Sequence, residues 1–214
     1  MKFGVLGTGN VGATLGSAFI ALGHEVRMGA RDANNEKAAA WAASQGKAAS
    51  SGTFADAVAF GDIIVLATLG EANESALRMA GVENFAGKVL IDTTNPLDFS
   101  KGFPPNLFLG RDDSGGEAVQ RVVPEARVVK AFNSVGAPHM FRPDLPGGPP
   151  TMFIAGDDAA AKATVGALLT QMGWESLDTG GIVASRFLEP LCLLWVGYGA
   201  RTGTWNHAFK LLRK

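Results

Sequence analysis

The sequence predicts a doubly wound α/β fold, a mostly parallel sheet covered by helices on both faces and followed by an apolar C-terminal helix. Three observations carry this. Short apolar runs of strand length recur along the chain, segments of helical period separate them, and the early runs are continuous in apolar character where a sheet with one wet face would alternate. The composition allows such a fold, since 214 residues at 47% hydrophobic can bury one sizeable core.

The elements follow in order. Residues 3–6 form the first apolar run, and "GTGNVG" at 7–12 follows directly. Val11, Leu15, Ala18, Phe19 and Leu22 then fall on one helical face, with Gly23 as the stop. Further strands are predicted at residues 26–28, 63–67, 89–91, 128–132 and 152–155, with a weaker one at 175–177. Helical segments occupy 35–45, 54–60, 73–80, 115–123 and 159–172. The last helix, 183–199, differs from these. Residues 191–196 are apolar on every side, so it must be buried all round, in the domain or against a second subunit. Trp195 and Tyr198 mark the expected seam of a homodimer. Arg186, Glu189 and Pro190 weigh against a membrane span. The chain thus divides into a doubly wound domain at 1–180 and a helical extension at 181–214, packed on that domain or on a dimer partner.

Charge and cysteine usage narrow the function. Nineteen basic residues against twenty acidic ones leave a formal charge of −1, so no global field draws nucleic acid or an anionic membrane. Lys2 precedes about twenty uncharged residues that imitate a signal peptide, but the glycines at 4, 7, 9 and 12 break the run into strand, turn and helix. A single cysteine, Cys192, excludes an internal disulfide framework and points to a reducing compartment, so the cytoplasm is the expected location. His24, His139 and His207 lack the spacing of a zinc site, and no metal is expected.

"GTGNVG" gives G-x-G-x-x-G after a strand and at the start of a helix, the context in which the pattern indicates a Rossmann-type dinucleotide site. Gly7 permits the tight turn, Gly9 lets the backbone approach a pyrophosphate, and Gly12 lets the helix pack on the sheet. Thr8, Asn10 and Val11 complete the anion-binding turn. In "HEVRMGARD", Ala30 and Arg31 occupy the end of the second strand, where an acidic residue would hold the adenosine ribose of NAD. A guanidinium at Arg31 pairs instead with a 2′-phosphate, which favours NADP(H) by roughly ten- to a hundredfold. Asp32 is the rival: delivered to the ribose, it would favour NAD.

Ligands of open parallel sheets lie beyond the carboxyl ends of the strands. Thr68 and Leu69 follow one buried strand, Asn95 and Pro96 the next, and Asn133 the one after. Two carboxamides can converge there on the nicotinamide end, or each can simply cap a turn. Lys130 and His139 fit structural roles better than acid-base ones, since neither belongs to a spaced constellation. Phe99, Phe103, Met140 and Phe141 offer a flat apolar wall. No catalytic residue is assigned: hydride transfer between planar rings can proceed by positioning alone.

Together "GTGNVG", "MGARD" with "AAAWA", "IDTTNPLDFSKGFPPNLFLG", "RVVPEARVVKAFN" and "RFLEPLCLLW" resemble the NADP-dependent oxidoreductases of the coenzyme F420, or deazaflavin, reductase family. The nucleotide half is also similar to the cytoplasmic domain of the six-transmembrane metalloreductases. The resemblance implies hydride exchange between NADP(H) and F420. Relatives often carry a hydroxyl residue where this chain has Ala30. Other acceptors for the same NADP site are a flavin, a ferric chelate or a small imine, and a redox sensor without turnover is the non-enzymatic alternative.

Overall fold

The computed structural model describes residues 1–109 and 112–213. Gly110, which ends the long "IDTTNPLDFSKGFPPNLFLG" motif, Arg111, and Lys214 at the end of the extension lie outside the described residues. From the N-terminus run β1 (Lys2–Leu6), α1 (Asn10–Ala21), β2 (Glu25–Ala30), α2 (Glu36–Gln45), β3 (Ala49–Thr53), α3 (Phe54–Phe60), β4 (Ile63–Leu66) and α4 (Asn73–Ala80). Then come β5 (Val89–Asp92), the short β6 (Leu97–Asp98) and β7 (Asn106–Leu107), α5 (Gly115–Val122), β8 (Arg127–Lys130), β9 (Thr151–Ile154), α6 (Ala159–Gln171), β10 (Glu175–Asp178) and α7 (Ser185–Thr202).

The main sheet has six parallel strands in the order β3-β2-β1-β4-β5-β8, with the direction of winding reversing beside β1. β9 and β10 pair with each other in parallel, and a single antiparallel bridge, Lys130 to Ala155, joins them to β8. Alternate strand residues feed two cores, as a sheet covered on both sides requires. Phe3, Val5, Val65, Ile91 and Val129 face α1 and α6, where the rings of Phe3 and Phe19 stack at 4.0 Å. Leu6, Ile64, Leu66, Leu90 and Val128 lie in the opposite core with Phe54, Leu77 and Val119.

Several features differ from expectation, among them the short β6 and β7, which no apolar run predicts. β3 is not predicted by its sequence, since "ASSGT" has no apolar run; it is an edge strand held by pairing with β2. β8 ends at Lys130 rather than at 132, because Phe132 takes φ 62° and turns the chain out of the sheet. α7 is not buried all round within its own chain: Leu188, Cys192 and Trp195 are buried, whereas Phe187 is 73% and Leu194 60% exposed on another face, which leaves only a second subunit to cover them. Trp195 packs within its own chain, stacked on His207 and beside Trp205, with its Nε1 donating to His207 O at 2.9 Å. That indole therefore belongs to an intramolecular seam made by the C-terminal tail, and only Tyr198 of the expected pair stays exposed.

Candidate functional site

Register builds the site. Gly29, Leu6, Leu66, Asp92 and Lys130 stand side by side across five parallel strands in one row at the carboxyl end of the sheet. Two residues further along their chains come Arg31, Thr8, Thr68 and Thr94, and all four line one cleft of about 1050 Å³. It opens beside β1, at the topological switch point where such sheets bind ligands.

The turn after β1 has the form an anion needs. Gly7 sits at φ 122°, and a Cβ there would strike Ala67 O, so only glycine fits between the strands. Gly12 lies so close to Gly7 O that a side chain would force α1 off the sheet. Gly9 is different, because a Cβ on it would meet nothing within 4 Å. Its bareness serves no contact within the protein and leaves the backbone open to the cleft. Gly9 is also the N-cap of α1 and provides no side-chain cap, whereas α2, α3, α5 and α6 are capped by Asn35, Thr53, Ser114 and Asp158. The first amides of α1 thus face the cleft without an acceptor, which suits a pyrophosphate.

At the far lip, Arg31 makes no hydrogen bond or ion pair with any described residue and lines the cleft with Thr8 and Gly9. Asp32 is outside the lining, and its Oδ1 accepts the Asn34 N–H at 2.8 Å, closing the turn before α2. Ala30, 3% exposed, is a strand-end core residue. A free guanidinium at the ribose corner, with the neighbouring carboxylate tied to backbone, suits a 2′-phosphate.

The opposite wall comes from the loops after β4 and β5. Thr68, the 72% exposed Leu69, Thr94 and Asn95 line the cleft, with Phe99 and Phe108 as its aromatic surfaces. Phe108 was not singled out from sequence; the antiparallel pairing of β6 with β7 brings it in. Of the other residues expected in the apolar wall, Met140 is a core residue whose carbonyl accepts from Trp174 Nε1 at 3.0 Å. Phe141 packs on that core under the Arg142 guanidinium, and Phe103, 57% exposed, lies outside the cleft lining. Asn95 and Asn133 do converge, but on each other. Asn95 Nδ2 donates to Asn133 O at 2.8 Å, and Asn133 Nδ2 donates to Asn95 Oδ1 at 3.0 Å and to Leu188 O at 2.8 Å. Asn95 reaches the cleft surface; Asn133 stands behind it and ties it to α7, and Pro96 lines a neighbouring hollow.

Behind this wall lies an ion cluster that sequence reading located only through Lys130. Its ammonium, fully buried, donates to Asp92 Oδ2 at 2.7 Å and Thr94 O at 2.9 Å and meets Glu189 Oε1 at 2.8 Å. Burial by itself would depress the Lys130 pKa, but the two carboxylates outweigh it and hold the amine above its ordinary value. Glu189, on α7, also accepts the Gly115 and Gly116 amides at 3.0 Å each, at the N-terminus of α5. The signal in the sequence is three charged residues set in or directly after apolar runs, Lys130 and Glu189 inside one and Asp92 at the end of another. Cys192, beside this cluster, has its thiol pushed up to about 11 by burial. His139 lies away from the cleft and bonds Asn206 in the tail. Among the described residues, no group of three or more His, Cys, Asp or Glu side chains could hold a metal. The segment Ile182–Thr202 is long and apolar enough to cross a membrane by composition, yet in this fold Glu189 and Asn133 bind it to the sheet domain.

Comparison with known proteins points to an NADP-linked oxidoreductase. The family model described as NADP oxidoreductase, coenzyme F420-dependent, matches residues 2–96. The crystal structure of a candidate F420-dependent NADP-reductase from Arthrobacter sp. FB24 superposes with a TM-score of 0.93, at 42% identity over the whole of both chains. The chain belongs to the F420-dependent NADP oxidoreductase family. Within and around that family, the F420-dependent NADP reductase of Methanocaldococcus jannaschii is 31% identical over 66% of this chain and 64% of its own length. The rat metalloreductase STEAP3 is 30% identical over 90% of this chain but only 37% of its own length, so the chain spans little more than a third of that protein. The family is one of NADP-linked oxidoreductases, and the matched residues 2–96 hold the first five strands of the Rossmann-type sheet.

Proposed function

We propose that this chain exchanges hydride between NADP(H) and a deazaflavin coenzyme, with Gly7, its own amide bonded to Gly29 O, making the turn, the amides at Thr8, Gly9, Asn10 and Val11 holding the pyrophosphate, and Gly12 keeping α1 on the sheet. Arg31 takes the 2′-phosphate, Ala30 shapes the corner, and Thr68, Leu69 and Asn95 bound the nicotinamide end, with Asn133 and Pro96 fixing Asn95 in place. The nicotinamide supplies the hydride chemistry when bound. The protein's part is to hold donor and acceptor rings in contact and to keep water out, for which the apolar surfaces of Leu69, Phe99 and Phe108 are suited. No side chain in the cleft needs to act as acid or base.

The observation that carries this reading is the unpaired guanidinium of Arg31 across the cleft from an uncapped helix N-terminus bared by Gly9. Calorimetric titration tests it: Arg31→Ala should weaken NADP+ binding about ten- to a hundredfold and leave NAD+ unchanged. Equal affinity of the native protein for the two would overturn the assignment. A second reading keeps the site and changes the acceptor to a flavin or ferric chelate, which the likeness to the metalloreductase over 90% of the chain favours. NADPH consumption with F420, free flavin or ferric chelate as sole acceptor distinguishes the two; binding without consumption by any of them would indicate a redox sensor. The reading includes a homodimer in a reducing, cytoplasmic setting, its seam formed by Val183, Phe187, Leu194 and Tyr198, a stripe of exposed apolar residues at helical spacing along α7 and the turn before it.

A further inference from the structure

The hydrogen-bond polarity of the cleft wall at Thr68 is dictated from the protein interior. Lys130 Nζ carries three protons and faces three acceptors, Asp92 Oδ2, Glu189 Oε1 and Thr94 O, so it is fully committed. Asp92 Oδ1, an acceptor only, takes the Thr94 N–H at 2.9 Å and the Thr94 hydroxyl at 2.7 Å. That hydroxyl has a single proton and has given it away, so toward Asn73 it can only accept, and Asn73 Nδ2 lies 2.7 Å from it. The Asn73 amide is thereby oriented with Oδ1 toward Thr68, whose hydroxyl donates to it at 2.7 Å. Thr68 Oγ1 reaches the cleft with lone pairs and no proton.

We propose that Thr68 is a specificity-determining acceptor in the cleft, held in that state by Asn73, Thr94 and the buried Asp92–Lys130 pair, and that it takes a donor group of the ligand, a sugar hydroxyl or the carboxamide NH2. This rests on the reading of the cleft as a dinucleotide site. A phosphate or carboxylate oxygen placed there would meet lone pair against lone pair. Asn73 and Thr94 are positioning residues: their part is to fix which way Thr68 points its proton. The series is also reversible. In Asp92→Asn the ammonium still requires an oxygen, so the new NH2 turns to Thr94, where it reverses the hydroxyl bond and also forfeits the bond from the Thr94 N–H. Thr94 then donates to Asn73, Asn73 donates to Thr68, and the Thr68 proton is released into the cleft.

The test is calorimetry of the full-length protein with NADP+ and with its 3-acetylpyridine analogue, which lacks the amide NH2, alongside melting temperatures. Thr68→Val should weaken NADP+ binding about three- to tenfold, the range of one neutral hydrogen bond, while Thr68→Ser retains it. Thr94→Val should show a comparable loss, Thr94→Ser should recover it, and Thr68→Val/Thr94→Val together should lose no more than Thr68→Val alone. Asp92→Asn should bind NADP+ as weakly as Thr68→Val does. If the carboxamide is the donor, native protein and Thr68→Val bind the analogue alike; if a sugar hydroxyl is, both ligands weaken by the same factor. Thr68→Val binding NADP+ as the native protein does, or additive losses in the double variant, would overturn the inference. Should Thr94→Val fail to fold, Thr68→Val against Thr68→Ser decides the acceptor role, and Asp92→Asn decides its interior control. Failure of this inference alone would leave the native protein binding NADP+ with Arg31→Ala still weakened; no NADP+ binding by the native protein would sink the dinucleotide reading, and this inference with it.

Discussion

Replacing Lys130 with methionine, which keeps length and volume but removes the charge, probes the interior on which the site stands. Asp92, Lys130 and Glu189 are 0–1% exposed, so no water replaces the ammonium. The variant leaves Asp92 Oδ2, Glu189 Oε1 and Thr94 O facing an apolar side chain. Removing one partner of a buried ion pair costs about 3–5 kcal/mol. Here each carboxylate keeps two other donors, Thr94 N–H and hydroxyl for Asp92 and the Gly115 and Gly116 amides for Glu189, which sets the expectation at the lower end. A loss of about 3–4 kcal/mol corresponds to a melting temperature lower by roughly 6–16 °C at this chain length. The variant must draw a proton onto one carboxylate, so its deficit should shrink as pH falls from 8 to 5. Differential scanning calorimetry at both pH values, with Lys130→Met/Asp92→Asn/Glu189→Gln as the uncharged control, reads all of this. A single variant melting within about 2 °C of the native protein at pH 8 would refute the reasoning, since the measured cost would then lie well below that of an unpaired buried charge.

Gly9→Ala should melt within about 1 °C of the native protein, because the site has room and an ordinary backbone angle, yet bind NADP+ at least about tenfold more weakly; a matched pair of melts and titrations checks it. His24, against Phe3 with its Nε2 unpartnered, has its pKa lowered by burial and then by the N-terminal ammonium. A depressed folded value means that the unfolded chain binds the proton better, so stability present above pH 6.5 is lost as pH falls through the folded pKa. His24→Phe should therefore flatten the decline in melting temperature between pH 7 and pH 5, and unchanged slopes would count against it. The proposed homodimer is tested by Phe187→Glu, on the exposed stripe of α7: the native protein should sediment as a dimer and the variant as a monomer, with NADP+ affinity unchanged.

Much of the doubly wound framework was legible because its determinants are local. Residues 89–91 and 63–67 are apolar runs whose type follows from their length and composition, and Gly7, Gly9 and Gly12 state their spacing outright. β3 was not legible, because Ser50 and Ser51 are strand residues only by virtue of lying beside β2. The site divides in the same way. Arg31 could be placed because its distance from the glycines is fixed along one strand and one helix. Asn133 was assigned to the ligand because nothing in its neighbourhood along the chain reveals that Leu188, 55 residues away, already accepts its amide proton.

By itself the sequence determined the order of strands and helices apart from β3, β6 and β7, together with the glycine turn and the cationic corner, since each depends on local pattern and spacing. Only the tertiary structure decided that Asp92 and Lys130 stand opposite each other in register, that Glu189 reaches across 59 residues to join them, and that Phe132 turns Asn133 behind Asn95. Hydrogen-bond direction and the charge of a buried cluster are properties of atoms brought together from distant parts of the chain, and no local pattern encodes them.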